Sequence, residues 1–260
     1  MLRPRIIPCL LVHKGGLVKT VRFADPKYVG DPINAVRIFN EKEVDEIIVA
    51  DIDATVQNRL PDYVLISKLA AECRMPICYA GGVKTVDQLE TIISLGVEKV
   101  GISSAAIADP DLIAQASRRV GSQSVVVVLD VFASTSAGHY VVMTHNGKRS
   151  TNIDPINFAR LAADAGAGEI LINAIDRDGT NTGYDLPLMQ RIRDVVSIPI
   201  TALGGAGTMK DLEQLFNQVD LVGGAAGSLF VFKGKYRAVL INYPSRMEKD
   251  HVNLVALHAV

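Results

Sequence analysis

The sequence predicts a single (β/α)8 barrel, in which eight parallel strands alternate with helices and close on themselves. Two observations support this fold. Eight short runs rich in apolar and β-branched residues recur along the 260 residues, separated by segments with helix start signals. The chain also nearly repeats itself at half its length, and half a barrel leaves sheet edges that only a second half can pair. We expect the barrel to span residues 1–242 and assign no structure to the tail, residues 243–260.

The predicted strands are apolar almost throughout, as expected of strands that are buried on both faces. In chain order they are residues 5–12, 46–52, 75–80, 98–103, 124–131, 169–174, 198–203 and 220–226. Capping residues stand before the helices between them, for example Asp31, Thr85 and Asp154.

The repeat is clearest around two glycine pairs. Residues 76–82 are similar to residues 199–205, which lie 123 positions further along the chain. Residues 51–53 are echoed by residues 176–178, 125 positions further along. The sequence therefore predicts an internal half-barrel duplication with two similar anion sites.

Composition excludes several classes of protein. The net charge of −1 argues against binding to nucleic acid, because such proteins carry a basic surplus. Cys9, Cys73 and Cys78 lack metal-binding spacing, so we expect buried free thiols and a reducing, cytoplasmic location. The five histidines are scattered, and we expect neither a metal nor a cofactor. No apolar run reaches membrane-spanning length, so no membrane role is expected.

Candidate binding residues follow the strands at their carboxyl ends, where barrels of this kind bind ligands. Glycine lets a phosphate approach backbone N–H groups closely, and serine adds a donor, so we predict two phosphate sites and a long substrate with a phosphate at each end. The alternative is that the glycines only permit tight turns. The candidates are Asp51, Gly81, Gly82, Ser103 and Ser104 in the first half and Asp178, Gly204, Gly205, Gly227 and Ser228 in the second.

Charged residues mark both ends of the predicted barrel. Asp130 follows an apolar strand, where a carboxylate either caps the next helix or points into the mouth as a catalytic acid or base; barrel geometry favours the catalytic role. Charges at the amino ends of strands form either a solvated rim or a charge-balanced ring across the barrel floor. These residues are Arg5, Glu46, Lys99 and Glu169.

Taken together, the motifs resemble the HisF family, the cyclase subunits of imidazole glycerol phosphate synthase in histidine biosynthesis. The resemblance covers roughly residues 1–232. It implies a half-barrel duplication, a substrate with two phosphates, and a HisH-like glutaminase partner at the amino-end face, whose ammonia enters through the barrel floor. The motifs that carry it are residues 5–10, 30–32, 81–82, 121–123, 166–170, 176–180, 183–185 and 204–207.

The resemblance also implies roles for individual residues. Asp130 matches one of the family's two catalytic aspartates, and Lys19 matches a lysine of the mobile first loop near the substrate. Asp178 and Gly179 fall at or beside phosphate-binding positions. The residues that match the family's salt-bridge gate for ammonia are Arg5, Glu46, Lys99 and Glu169.

Three departures lie on the catalytic face. The family's other catalytic aspartate ends the first strand, where this chain has Leu11; Ser103 and Leu203 replace a family asparagine and serine. A leucine cannot transfer a proton, so the acid–base pair is reduced to Asp130. Our first choice is therefore that the chain delivers ammonia to an acceptor other than the histidine-pathway substrate. We expect this acceptor to be a sugar derivative, because the chain also resembles HisF-like paralogues of surface-polysaccharide (lipopolysaccharide) gene clusters, which serve acetamidino-sugar formation.

Three alternatives stay open. The first is ordinary imidazole glycerol phosphate synthesis, with Asp130 carrying the acid–base steps alone. The second is a non-catalytic, ammonia-conducting activator of the glutaminase, against which the retained phosphate sites argue. The third is a sugar-phosphate isomerase, which also uses an aspartate in the place of Leu11 and has no need of the charged ring.

Overall fold

The computed structural model describes residues 4–134, 138–220 and 222–258, and within them eight parallel strands close into a barrel. The (β/α)8 prediction is confirmed. Each barrel strand pairs with the next, and the last pairs with the first. Around the barrel they are β1 (Arg5–His13), β4 (Ile47–Asp51), β5 (Ile77–Ala80), β6 (Lys99–Ile102), β7 (Val125–Ala133), β10 (Glu169–Ala174), β11 (Ile200–Leu203) and β12 (Val222–Ala226).

Helices connect the barrel strands, and short antiparallel strands extend from its carboxyl end. The helices are α1 (Pro32–Glu41), α2 (Tyr63–Glu72), α3 (Val86–Ser94), α4 (Ser104–Ala108), α5 (Asp111–Val120), α6 (Pro155–Asp164), α7 (Leu186–Arg193), α8 (Met209–Gln218), α9 (Ser228–Val231) and α10 (Arg246–His258). The additional strands are β2 (Gly16–Val21), β3 (Ala24–Gly30), β8 (Tyr140–Thr144), β9 (Arg149–Ser150), β13 (Phe232–Lys233) and β14 (Ala238–Val239).

The buried side chains of the barrel strands form two separate apolar groups, because successive residues of a strand point to opposite faces. The larger group packs between the strands and the helices and includes Leu10, Val49 and Tyr79. The smaller group fills the barrel interior. Its members are Ile7, Cys9, Ile48, Cys78, Val126, Leu171 and Ala225, with Leu11, Val128 and Leu203 packed against them.

The repeat in the sequence is also a repeat in the structure. The first strand of each half, β1 or β7, continues beyond the barrel and pairs with an antiparallel strand, β2 or β8. The glycine pairs 81–82 and 204–205 follow β5 and β11, and all four glycines have positive φ. Helices α3 and α8 then begin after Thr85 and Thr208.

Two boundaries differ from the sequence prediction. Asp130 does not end its strand, because β7 continues to Ala133 by pairing with β8. The tail, to which the sequence assigned no structure, contains α10, which packs on α8. Before it, the hydroxyl of Tyr243 donates to the carbonyl oxygen of Ile6 at 2.8 Å and accepts from the N–H of Asp45 at 3.3 Å. The segment is thereby tied to the amino end of the barrel.

Within the described ranges, no helix is both long and apolar enough to cross a lipid bilayer. The same residues contain no group of three or more His, Cys, Asp or Glu side chains placed to hold a metal ion. Cys9 and Cys78 are buried free thiols, and Cys73 is a half-buried one.

Candidate active site

Four charged side chains meet at the amino end of the barrel. Lys99 Nζ lies 2.9 Å from Glu46 Oε2 and 2.8 Å from Glu169 Oε2. Arg5 Nη2 lies 2.8 Å from Glu169 Oε1, and its Nη1 contacts Glu46. Thr201 donates a hydrogen bond to Glu169 as well. Each cation therefore contacts both carboxylates, and the four side chains form a ring rather than a solvated rim.

The carboxylates of this ring are buried, with Glu46 3% and Glu169 5% exposed. Burial opposes the charge on Glu169, but Arg5 and Lys99 outweigh it and lower its pKa to about 2. Burial also opposes the charges on Arg5 and Lys99, and the two carboxylates outweigh it and raise both pKa values. Two acids and two bases leave the ring without net formal charge, which a buried ionic cluster requires. Its role as an ammonia gate stays a prediction.

Asp130 lies at the opposite end of the apolar interior. It is paired in register with Asn173 of β10, whose Nδ2 donates to Asp130 Oδ1 at 3.1 Å. Burial, with a smaller contribution from the nearby charge of Asp178, raises the pKa of Asp130 to about 7. The hydrogen bond from Asn173 acts in the opposite direction and lowers the pKa. A carboxyl group that titrates near neutral pH is suited both to give and to take a proton.

Leu11 and Lys19 lie on the other side of the mouth. Leu11 packs against the interior apolar group, so the first half presents no carboxyl group at this position. Lys19 is 5% exposed, and its Nζ donates to the carbonyl oxygen of Cys9. Burial lowers the pKa of Lys19. A Cβ atom on Gly227 would lie 2.7 Å from Lys19 Nζ, so the lysine borders the second predicted phosphate site.

An open cleft lies at the carboxyl ends of β10, β11 and β12. The cleft brings together all six second-half residues that the sequence predicts at or beside a phosphate site. The lining consists of Asp178, Gly179, Leu203, Gly204, Gly205, Ala206, Ala226, Gly227 and Ser228. Backbone N–H groups, a hydroxyl and a neighbouring lysine are the groups that bind phosphate in proteins.

The hairpin of β2 and β3 is held over this cleft by Asp178. Thr20 Oγ1 donates to Asp178 Oδ2 at 2.7 Å, and the N–H of Phe23 donates to the same oxygen at 3.2 Å. Burial raises the pKa of Asp178, whereas these two hydrogen bonds and the charge of Lys19 lower it; the effect of burial is the larger. A Cβ atom on Gly179 would lie 2.3 Å from the carbonyl oxygen of Thr20, so the contact requires glycine.

The first-half candidates are packed against the loop that follows β4. The N–H of Gly82 donates to Thr55 Oγ1 at 3.4 Å, and a Cβ atom on Gly81 would lie 2.5 Å from the carbonyl oxygen of Asp51. This packing requires glycine at position 81 whether or not a phosphate binds there. Ser104 is the first residue of α4, and the buried Ser103 Oγ has no hydrogen-bond partner in the described part of the chain.

Asp51 has a structural task in the same loop, because its Oδ1 accepts from the N–H groups of Asp53 at 2.9 Å and Ala54 at 3.1 Å. Sequence reasoning misses Asn173 and the pair of His13 with Asp53, whose Nδ1 and Oδ1 atoms lie 2.8 Å apart. Asn173 and Asp130 become neighbours through the pairing of β10 with β7, and His13 and Asp53 through the pairing of β1 with β4 and the turn that follows β4.

Residues 5–237 match the family of histidine biosynthesis proteins. The chain belongs to this family. Three curated relatives share the name "Putative imidazole glycerol phosphate synthase subunit". The one designated hisF3, from Vibrio vulnificus, is 54% identical over 249 residues, 96% of each chain. HisF from Leptospira interrogans is 51% identical over 250 residues (96% of this chain, 98% of the relative). The one designated hisF2, from Pseudomonas aeruginosa, is 53% identical over 250 residues (96% and 99%).

These relatives confirm the resemblance to the HisF family over nearly the whole chain. HisF homologues are enzyme subunits of the cyclase type. Their names favour the imidazole glycerol phosphate synthase interpretation over the sugar acceptor that we placed first. They give no support to a connection with surface-polysaccharide genes.

Proposed function

We propose that the chain is the synthase subunit of a glutamine amidotransferase of the imidazole glycerol phosphate synthase type. A HisH-like glutaminase binds the amino-end face and releases ammonia there. The ammonia passes the charged ring and the apolar interior, and it reacts with a phosphorylated acceptor at the carboxyl-end mouth. The observation that carries this proposal is the placement of the ring at one end of the interior and of Asp130, with its pKa of about 7, at the other.

The chemistry of the interior suits neutral ammonia. Neutral ammonia loses hydrogen bonds on entering an apolar space, but this costs far less free energy than burying an unpaired ammonium ion there. The ring separates that space from the solvent, and each of its cations has two carboxylate partners. Opening one contact therefore leaves each cation with a second partner, which limits the energetic cost of passage.

For the acceptor we infer the two-phosphate substrate of imidazole glycerol phosphate synthases, in line with the names of the relatives. The glycine pairs 81–82 and 204–205 lie in corresponding places of the two halves and suit a phosphate at each end. Asp130 carries the proton transfers that accompany ring closure, and Asn173 orients its carboxyl group.

One observation favours a second candidate. Leu11 places an apolar side chain where ring closure in the family uses a carboxyl group. An acceptor that takes up ammonia with fewer proton transfers, such as a sugar derivative on the way to an acetamidino sugar, needs only one such group. The same subunit then delivers ammonia to different chemistry.

Turnover measurements test the proposal. The purified chain with ammonium and the two-phosphate substrate should form product, and with a HisH-like glutaminase it should do so from glutamine. Lys99→Met, which removes one cation of the ring, should uncouple glutamine hydrolysis from product formation, whereas Lys68→Met on the exposed face of α2 should not. Turnover with a sugar acceptor alone would support the second candidate. A chain that binds no glutaminase and turns over neither acceptor contradicts both.

A further inference from the structure

Two hairpins meet around one aromatic ring at the rim of the second-half cleft. Phe232 begins β13, four residues after Ser228. Lys27 Nζ lies 5.3 Å from the centre of its ring, and Arg237 Cζ lies 4.7 Å from it. Both distances lie within the range of cation–π contacts. Lys27 belongs to β3 and Arg237 to the turn before β14, so Phe232 joins two segments that are far apart in the chain.

Arg237 also reaches the lining of the cleft. Its Nη2 donates to Ser228 Oγ at 3.4 Å, and Ser228 is one of the residues that line the cleft. The turn fixes the start of the side chain, because the N–H of Arg237 donates to the carbonyl oxygen of Gly234 at 3.0 Å. The guanidinium group is thus held at the cleft by the ring on one side and by the serine on the other.

Within residues 4–134, 138–220 and 222–258, no carboxylate forms an ion pair with Arg237 or with Lys27. Two unpaired cations around one ring repel each other, and a bound anion relieves that repulsion. A phosphate monoester dianion supplies two negative charges for these two cations.

We propose that Arg237 is a phosphate ligand of the second-half cleft and that Lys27 joins it, so that the β2–β3 and β13–β14 hairpins clamp one phosphate between them. The planar guanidinium fork donates to two phosphate oxygens at once, which a lysine cannot do. This inference rests on the proposed function and narrows it. The acceptor ends in a phosphate group at the second-half cleft, and Arg237 determines specificity for that end.

Binding of inorganic phosphate to the full chain tests the clamp. In a titration followed by NMR, the side-chain Nε–H signal of Arg237, assigned by its loss in Arg237→Lys, should shift together with the backbone N–H signal of Gly205. Arg237→Gln should weaken phosphate binding about tenfold, which corresponds to ~1.4 kcal/mol. The phosphate affinity of Arg237→Lys should lie between those of the unsubstituted chain and of Arg237→Gln, because lysine keeps the positive charge and lacks the planar guanidinium group. Arg160→Gln on the exposed face of α6 is the matched control and should bind as the unsubstituted chain does.

Unchanged affinity in Arg237→Gln, an Arg237 signal that does not move when that of Gly205 does, or a chain that binds no phosphate overturns the inference. The titration uses neither ammonia nor glutaminase, so a failure of the amidotransferase function does not affect it. Conversely, acceptor turnover with unchanged KM in Arg237→Gln overturns the clamp and leaves the proposed function intact.

Discussion

Asn173 donates a hydrogen bond to Asp130 at 3.1 Å, and the two residues pair in register across β7 and β10. In the first half, the corresponding strands β1 and β4 place Leu11 opposite Ala50. At this position the mouth therefore carries a carboxyl group in the second half and a leucine in the first. Under the proposed function, proton transfer at this position falls to the second half alone, and several measurements follow from this asymmetry.

Replacing Asp130 by asparagine removes the carboxyl group that titrates in the mouth while keeping its shape. Because a positioned acid or base typically contributes about 10²–10⁴ in rate, we expect kcat for ammonium-dependent turnover to fall by that factor. In the unsubstituted chain, turnover should depend on a group with a pKa near 7, and this dependence should vanish in Asp130→Asn. Asp164→Asn, on the exposed end of α6, is the control. An unchanged pH profile would remove Asp130 from the mechanism.

The same substitution should stabilise the fold above neutral pH. The pKa of Asp130 rises from its ordinary 3.8 to about 7 on folding, so the folded state binds the extra proton and stability falls as pH rises from about 4 to 7. Above pH 7 the penalty is constant, on the order of 2–4 kcal/mol. Denaturant unfolding at pH 5 and pH 8 should show a larger advantage for Asp130→Asn at pH 8. An equal difference at both pH values contradicts the burial argument.

Leu11→Asp restores a carboxyl group in the first half. If the acceptor is the two-phosphate substrate, we expect ammonium-dependent ring closure to rise by at least tenfold, because a second acid–base group is then available. The control is Leu11→Asn, which has a similar shape without an ionisable group. If neither variant changes turnover, the cyclase interpretation of the mouth loses its support.

Glu169→Gln should destabilise the barrel floor. It leaves Arg5 and Lys99 with a single carboxylate, and breaking a buried ionic cluster typically costs about 3 kcal/mol. The pKa of Glu169 is lowered from 4.5 to about 2, so its contribution is present above pH 4.5 and is lost as pH falls towards 2. Denaturant unfolding from pH 7 to pH 3 should show the two proteins converging. Glu72→Gln, which breaks an exposed pair with Arg37, should change stability little at any pH.

Gly179→Ala should detach the β2–β3 hairpin from the cleft. The added Cβ atom would lie 2.3 Å from the carbonyl oxygen of Thr20, so the hairpin must shift. Hydrogen exchange of residues 16–30 should become faster, and KM for the acceptor should rise. Gly138→Ala has a comparable positive φ, 80° against 67°, with open space around the new atom. If both variants behave alike, the backbone conformation and not the contact is responsible.

The sequence predicts the eight barrel strands and the second-half cleft because their signals are local. Apolar runs mark buried strands, and each glycine pair follows its run directly. The hairpins are not predicted, since β3 is exposed along most of its length and carries no apolar alternation. For the same reason the sequence does not reveal Arg237 and Lys27 as neighbours.

Contacts between distant residues are the other part that the sequence leaves open. Arg5 and Glu169 are separated by 164 positions, and only closure of the barrel decides whether they meet. Asn173 becomes a partner of Asp130 through strand register, on which the local pattern carries no information. The sequence names all four ring residues and leaves open whether they form a ring or a solvated rim; the structure shows which cation contacts which carboxylate.

The two hydrogen bonds of Tyr243 end on Ile6 and Asp45, each of which directly adjoins a ring residue, Arg5 or Glu46. A segment near residue 243 thus supports the charged ring formed by residues from much earlier in the chain. Removing Tyr243 together with α10 is therefore expected to disturb the barrel surface around the charged ring.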